Sequence, residues 1–206
     1  MFKTIKEPII SEFKVKKSKF IGYLFPVNDE KIANKYIEKI NKKNYDATHN
    51  VPVYLIGKDK NIQKYSDDGE PSGTAGLPIL ELLKNENITN IVVVVTRYFG
   101  GTKLGTGGLV RAYTKAVKLA LKKAEILENK EFIFTSFSIN YTIYGKIKNF
   151  ISENKHIILQ DSDFTDVVTI KMFIIPEKFD KIKKEIKNMT NGDVVLNQLK
   201  RKNLVV

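Results

Sequence analysis

Two glycine-rich segments hold most of the residues that could take part in chemistry. They run from Ser66 to Gly76 and from Thr96 to Gly108, and eight of the chain's 12 glycines lie within them. Glycine is used where the backbone needs a positive φ or where another group must approach it closely. Both segments also contain charged side chains, so each is a candidate site.

The second segment has the order of an anion-binding loop. The β-branched run Ile91–Val95 predicts a buried strand, the glycines follow, and a helix is predicted to begin near Gly108. The first N–H groups of a helix can bind a phosphate or carboxylate, whereas the alternative is a tight structural loop. The residues expected to bind an anion or a nucleic acid are Arg97, Tyr98, Gly100, Gly101, Lys103, Gly105, Gly107, Gly108, Arg111, Lys115 and Lys118.

Cations recur along the helix predicted over residues 108–127. They are Arg111, Lys115, Lys118 and Lys122. Their spacing puts them within about 60° of one helical face, which could follow a phosphate backbone. The outer face of any amphipathic helix has the same pattern. Tyr98 and Phe99 could stack on a base or belong to the core.

The first segment contains three carboxylates within four residues, those of Asp67, Asp68 and Glu70. No metal centre is predicted, but these groups are candidates to bind Mg²⁺, with Ser72 and Thr74 as further oxygen ligands. They could instead supply a general base, pair with the arginines of the second segment, or form ordinary turns. The expected wall of the site consists of His49, Asp67, Asp68, Glu70, Ser72 and Thr74.

Composition and motifs exclude several kinds of chemistry. The chain has no cysteine and two histidines, which excludes disulfides, thiolate nucleophiles and multi-histidine metal centres. A Rossmann fingerprint would need glycine or alanine where Val110 stands, and no Gly-Lys-Ser/Thr tripeptide of a P-loop is present. Ser72 does not lie in a Gly-x-Ser-x-Gly motif. No cofactor is predicted.

The balance of charge favours polyanionic partners. The formal net charge is +12, and an acidic segment, residues 65–96, lies between two basic ones. A basic balance can also serve solubility alone. No apolar run approaches the ~20 residues that span a bilayer, and the N-terminus lacks a signal-peptide pattern. We therefore expect a cytoplasmic protein without a membrane partner.

The elements predicted around these segments form two α+β domains. In residues 1–128, strands are predicted at 9–16, 19–27, 51–56 and 91–95, and helices at 29–43, 78–85 and 108–127. In residues 131–206, strands are predicted at 131–141, 157–160, 167–175 and 194–199, with helices at 144–153 and from 179 to 189. The second set has the order βαββαβ of a ferredoxin-like domain.

Long motifs in the chain resemble the IMPACT/YigZ family. The matching stretches are residues 67–76, 96–101, 103–105 and 107–113, together with Ser18-Lys19-Phe20 and His49-Asn50. The resemblance implies a first domain similar to the second domain of a small-subunit ribosomal protein, an α/β sandwich also found in GHMP kinases and in the translocase EF-G. It implies a second domain similar to the fifth domain of EF-G.

The family resemblance implies contact with RNA or the ribosome and a role in translation control, with a protein partner as a further option. Eukaryotic relatives carry an additional RWD module and act on a starvation-responsive kinase, which we do not expect of this chain. Val51 stands where relatives commonly have cysteine, which argues against thiol chemistry there.

Two functional hypotheses remain open at this point. The first is a non-catalytic protein that binds RNA or the ribosome through a basic, glycine-rich anion site. The second is an enzyme acting on a phosphorylated small molecule, with Mg²⁺ at the loop of Asp67, Asp68 and Glu70. Both require the two glycine-rich segments to fold together. The sequence favours the binding protein and does not predict the oligomeric state.

Overall fold

The computed structural model describes residues 2–194 and 196–206 of the chain. It divides into two compact units, Met1–Glu128 and Asn129–Val206. The first unit has a hydrophobic core on each face of its sheet, and the second unit has one core between its helices and its sheet, so the expected two-domain α+β class is confirmed. Among the described residues, no helix is long and apolar enough to cross a membrane.

The first unit is built on a five-stranded antiparallel sheet. Its elements are β1 (Phe2–Ile5), β2 (Ile9–Val15), β3 (Ser18–Pro26), α1 (Glu30–Lys43), β4 (His49–Ile56), β5 (Ile62–Tyr65), α2 (Gly76–Asn85), β6 (Ile91–Tyr98) and α3 (Thr106–Leu121). The five strands of this sheet follow the order β2-β3-β6-β4-β5, and β1 lies outside it. Strands β1 and β5 were not predicted, and all four side chains of β5 are exposed, so it lacks the alternation that would reveal a strand.

The central strand β6 is covered on both faces. Ile91, Val93 and Val95 join the core formed with α2 and α3. Val92 and Val94 join a second core, formed with α1. Helices on both faces of the sheet therefore explain the unbroken β-branched run, although the strand pairing is antiparallel.

Helix α3 is shorter than the sequence predicted. It begins at Thr106 and ends at Leu121 with Lys122 as its C-cap, rather than reaching residue 127. A new strand begins at Ile126, so the apolar residues after the helix belong to a sheet. The buried face of α3 includes Tyr113 and Ala116, which pack against strands β2 and β3.

The second unit has the predicted ferredoxin-like order of elements. They are β7 (Ile126–Ile139, of which residues 129–139 lie in this unit), α4 (Tyr141–Glu153), β8 (Ile157–Phe164), β9 (Val168–Ile174), a 3₁₀ turn (Pro176–Lys178), α5 (Phe179–Met189) and β10 (Asn197–Val205). The antiparallel strands follow the order β10-β7-β9-β8. The last strand begins later than residue 194, and Val195 of that prediction lies outside the described residues.

Candidate functional site

The two glycine-rich segments meet at the carboxylate of Glu70. Its Oε1 accepts a hydrogen bond from Arg97 Nη1 at 2.6 Å and another from the Tyr113 hydroxyl at 2.7 Å. His49 Nε2 lies 3.8 Å from the same oxygen. We call these four residues the Glu70 cluster. It joins the first loop, the ends of β4 and β6, and the buried face of α3.

Arg97 lies inside the protein, which corrects the expectation that it binds an external anion. Only 5% of the residue is exposed. Its guanidinium carbon lies 5.6 Å from the centroid of the Phe20 ring and 5.4 Å from that of Phe99. Its Nε has no hydrogen-bond partner among the described residues, and its positive charge is balanced by the Glu70 carboxylate through Nη1. A buried charge needs such a partner because desolvation is costly.

Tyr113 stabilises the same carboxylate from the helix. Its side chain is fully buried and donates to Glu70. Burial, followed by the hydrogen bond and charge of Glu70, raises the pKa of the Tyr113 phenol well above its usual range. The contact was not predicted from the sequence. A buried tyrosine hydroxyl needs a hydrogen-bond partner, and that requirement is the signal that could have found it.

Asp67 holds the first loop on the start of α2. Its carboxylate accepts backbone hydrogen bonds from Gly73 at 2.8 Å, Ala75 at 3.0 Å and Gly76 at 2.8 Å. The N-cap residue Ala75 has no side chain that could do this. Asp67 therefore satisfies helix N–H groups that would otherwise lack partners, which corrects its assignment as a Mg²⁺ candidate.

Asp68 fastens the same loop to β4. Its Oδ2 accepts a hydrogen bond from the Asn50 backbone N–H at 2.5 Å. Its carbonyl oxygen lies 2.6 Å from His49 Nδ1, which must donate because a carbonyl only accepts. The φ of Asp68 is +47°, a conformation that aspartate tolerates better than most residues. The role of Asp68 seen here is to close the loop.

The remaining wall residues do not complete a metal site. Thr74 is buried and donates to the Pro71 carbonyl at 2.7 Å, whereas Ser72 is exposed. In the described part of the chain, no group of three or more His, Asp or Glu side chains could hold a metal ion. With Asp67 and Glu70 engaged internally, the loop does not supply the ligand set that the Mg²⁺ hypothesis required.

Gly100 and Tyr98 have structural contacts. A Cβ on Gly100 would lie 2.0 Å from the carbonyl carbon of Lys17, so only glycine fits beside the β2–β3 turn. The Gly100 N–H also donates to Ser18 Oγ at 3.1 Å. The Tyr98 hydroxyl donates to Asp46 at 3.1 Å. These contacts hold the chain after β6 and leave Phe99 nearly half exposed.

The start of α3 is open to solvent. Gly101, Lys103, Gly105 and Gly107 are all exposed. The N-cap Gly105 has no side chain to accept from the first N–H groups of the helix. A Cβ on Gly107 would meet only the Nη1 of Arg111, at 3.6 Å. The helix dipole and the guanidinium therefore act on the same exposed region.

A row of exposed cations continues along α3. Its members are Arg111, Lys115, Lys118 and, at the C-cap, Lys122. We call these four residues the α3 basic row. Residues 106–121 contain no acidic side chain. Among the described residues no member of the row forms an ion pair, whereas Lys19 pairs with Glu12 at 2.9 Å.

Comparison with known proteins covers both units. A family model described as the Impact N-terminal domain matches residues 16–121, and a model described as a domain of unknown function (DUF1949) matches residues 137–193. The chain is 40% identical to the IMPACT family member YvyE of Bacillus subtilis over 189 residues, which is 92% of this chain and 87% of that protein.

Two further similarities extend this comparison. The chain is 39% identical to the IMPACT family member YigZ of Escherichia coli over 118 residues, 56% of this chain and 58% of that protein. A solved structure described as that of a hypothetical protein is 27% identical, with a TM-score of 0.60 over 97% of both chains.

Proposed function

Because this chain belongs to the IMPACT family, we propose that it regulates translation by binding RNA or the ribosome without catalysis. The single observation that supports this binding mode is the α3 basic row, in which four exposed cations lack acidic partners among the described residues. Over the eleven residue steps from Arg111 to Lys122 a helix rises about 16 Å. A nucleic-acid strand carries several phosphates over that distance.

The α1 helix shows why the absence of acidic neighbours matters. It also exposes four lysines at similar spacing, namely Lys31, Lys35, Lys39 and Lys42. However, Glu30 and Glu38 lie on the same helix. Interspersed charges of both signs are usual for a solvated helix and weaken the attraction for a polyanion. The α3 basic row has no such compensation within its helix.

The anion site expected from the sequence is thereby reduced to its exposed part. Arg97, Asp67 and Glu70 are engaged inside the protein. The proposed contact surface combines the α3 basic row with Lys103 and the open first turn of the helix. Phosphate groups that approach this turn would meet backbone N–H groups at the positive end of the helix dipole. No chemical step is required of these residues.

A pelleting experiment with purified ribosomes tests the proposal. We define the α3 variant as Arg111→Gln, Lys115→Gln, Lys118→Gln and Lys122→Gln combined. The matched α1 variant combines Lys31→Gln, Lys35→Gln, Lys39→Gln and Lys42→Gln. Both remove four exposed positive charges from one helix.

The wild type and the α1 variant are expected to sediment with ribosomes at low salt and to be released as salt is raised, because bound cations displace counterions. The α3 variant should stay in the supernatant. Equal sedimentation of the two variants would refute the proposed role of the α3 basic row, and failure of the wild type to bind either ribosomes or free ribosomal RNA would refute the function.

A further inference from the structure

A small cavity lies between the β2–β3 hairpin and the start of α3. Its volume is about 180 Å³. The side chains that line it include Phe13, Val15, Lys16, Leu104, Arg111 and Lys115. Three of these are apolar and three are cationic, and no carboxylate lines the cavity. A fitting ligand therefore combines an apolar part with negative charge.

The volume limits what can enter. Pockets for whole small molecules usually measure about 300–1,000 Å³. A cavity of about 180 Å³ is smaller and admits only part of a ligand, such as one planar ring system. The rest of the ligand must lie outside, on the neighbouring surface. A free phosphorylated metabolite held entirely inside the cavity is therefore a poor fit.

A groove along α3 continues from this cavity. Its volume is about 330 Å³, and its walls include Thr114, Lys118 and Lys122. Arg111 and Lys115 line both the cavity and the groove, so the two form one continuous surface. Of the four groove side chains that do not also line the cavity, Leu119 is apolar, whereas Thr114, Lys118 and Lys122 are polar or cationic and can contact backbone phosphates.

Phe13 is the aromatic member of this surface. Its ring is stacked on that of Phe20, with the centroids 5.4 Å apart, which fixes its orientation. The Lys115 ammonium lies 4.9 Å from the Phe13 centroid. Because Lys115 is exposed, its flexible side chain can leave the ring for a phosphate oxygen and allow a second planar group to pack against Phe13.

We propose that the α3 basic row binds single-stranded RNA, and that one unpaired base enters the cavity between Phe13 and Leu104 while the backbone phosphates follow the groove. This inference rests on the proposed function and specifies its ligand. An unpaired base can be splayed out and stacked on an aromatic side chain, whereas the bases of a duplex remain stacked within it. A rigid duplex could touch the row but could not fill the cavity.

Fluorescence anisotropy with the full chain tests this inference. The probes are a labelled RNA of about 12 nucleotides without self-complementarity and the same strand annealed to its complement. The wild type should bind the single strand more tightly than the duplex. Phe13→Leu retains an apolar side chain but loses the ring, and it should weaken single-strand binding about 5- to 150-fold, the range expected for one stacked base.

Two controls keep the result interpretable. Ile10→Ala changes an exposed apolar residue on the same strand β2, outside the cavity, and should bind both probes as the wild type does. Val15→Phe adds bulk at a partly buried position that lines the cavity, and it should weaken single-strand binding by itself, so the inference stays testable where Phe13→Leu alters the fold. Thermal unfolding of each variant identifies any loss of structure.

The possible outcomes separate this inference from the function on which it rests. Salt-sensitive binding of the duplex that equals or exceeds that of the single strand would overturn the base-binding cavity and leave RNA binding intact. Tight binding of a free nucleoside monophosphate would overturn it as well. If neither RNA binds in a salt-sensitive way, the proposed function fails together with the inference.

Discussion

Two arginines of the first unit show how differently the same side chain can be used. Arg97 is 5% exposed and donates to Glu70 at 2.6 Å, within a cluster that also engages Tyr113. Arg111 is exposed, lies beside the open first turn of α3, and has no ion-pair partner in the described part of the chain. Both contribute equally to the net charge of +12, but one charge is neutralised inside the protein and the other faces solvent.

The position of each arginine in the fold explains the difference. Arg97 lies near the end of β6, a strand with helices on both faces, and its side chain is almost completely buried. Arg111 lies on the face of α3 opposite Tyr113 and Ala116, which pack into the core. The count of charges in a sequence therefore overstates the surface available to a polyanion. Burial and partners decide which cations can bind.

The largest effect is expected from removal of the carboxylate inside the Glu70 cluster. Glu70→Ala leaves the Arg97 charge buried without a partner, which should lower the free energy of unfolding by about 3–5 kcal/mol. Guanidinium chloride denaturation measures this. Glu12→Ala removes a surface carboxylate paired with Lys19 and should change stability little. Equal stability of the two variants would show that Arg97 does not depend on Glu70.

A pair of glycine substitutions separates the packed region from the open one. Gly100→Ala would place a methyl group 2.0 Å from the Lys17 backbone, so the turn must shift, at a cost of about 1–3 kcal/mol. Gly107→Ala meets only Arg111 Nη1 and should not destabilise, because alanine favours the helix. The midpoint of thermal unfolding compares them. A larger decrease of the unfolding midpoint for Gly107→Ala than for Gly100→Ala would contradict the open start of α3.

Alkaline pH should act on the Glu70 cluster through Tyr113. The pKa of the buried phenol is raised, so the folded protein keeps a proton that the unfolded chain releases above pH about 10. The stabilisation that comes from this pKa difference is fully present below that pH. Above it, the free energy of unfolding decreases by up to about 1.4 kcal/mol per pH unit.

Denaturation series between about pH 9 and pH 11 measure this slope. Tyr113→Phe has no phenol to ionise and should lose stability less steeply than the wild type over this interval. Tyr45→Phe, which removes the hydroxyl of a tyrosine that is 85% exposed and lies outside the Glu70 cluster, serves as the matched control. If Tyr113→Phe showed the same slope as the wild type, the Tyr113 hydroxyl of the wild type would not hold its proton more strongly in the folded state than in the unfolded chain.

Single charges of the α3 basic row should affect binding and leave folding unchanged. Lys118→Gln removes one exposed cation, so its free energy of unfolding should stay within about 0.5 kcal/mol of the wild type. The slope of log affinity for RNA against log salt should decrease by about 0.7 for a single strand. Anisotropy titrations at several salt concentrations give this slope. A stability loss without a change of slope would assign Lys118 to the fold.

Repeating patterns made the elements predictable. The three- and four-residue spacing of apolar side chains identified α1, and Asp29 caps it by accepting from the Ile32 N–H at 2.7 Å. The β-branched run identified β6, and the order of elements identified the ferredoxin-like unit. The predicted end of α3, at residue 127, was wrong because the apolar residues after Leu121 fit a helix or a strand equally well.

The candidate site was less predictable because its contacts join distant residues. Glu70 and Arg97 are 27 positions apart, and the sequence offered pairing with the second segment's arginines only as one alternative, without indicating which acid and which arginine pair. Asp67 contacts backbone N–H groups, which every residue except proline offers, so no sequence pattern marks these contacts. Phe13 and Leu104 entered the candidate surface only through the packing of the hairpin against α3.

The most direct test of the central claim, that the α3 basic row binds RNA, is the salt dependence of single-stranded RNA binding by the full chain. The four cations of the α3 basic row should contribute about −2.8 to the slope of log affinity against log salt. The α1 variant should keep the wild-type slope, and the α3 variant should lose this contribution and retain only the part due to the remaining cations of the contact surface. Binding that is independent of salt in the wild type, or an equal loss in both variants, would contradict the claim.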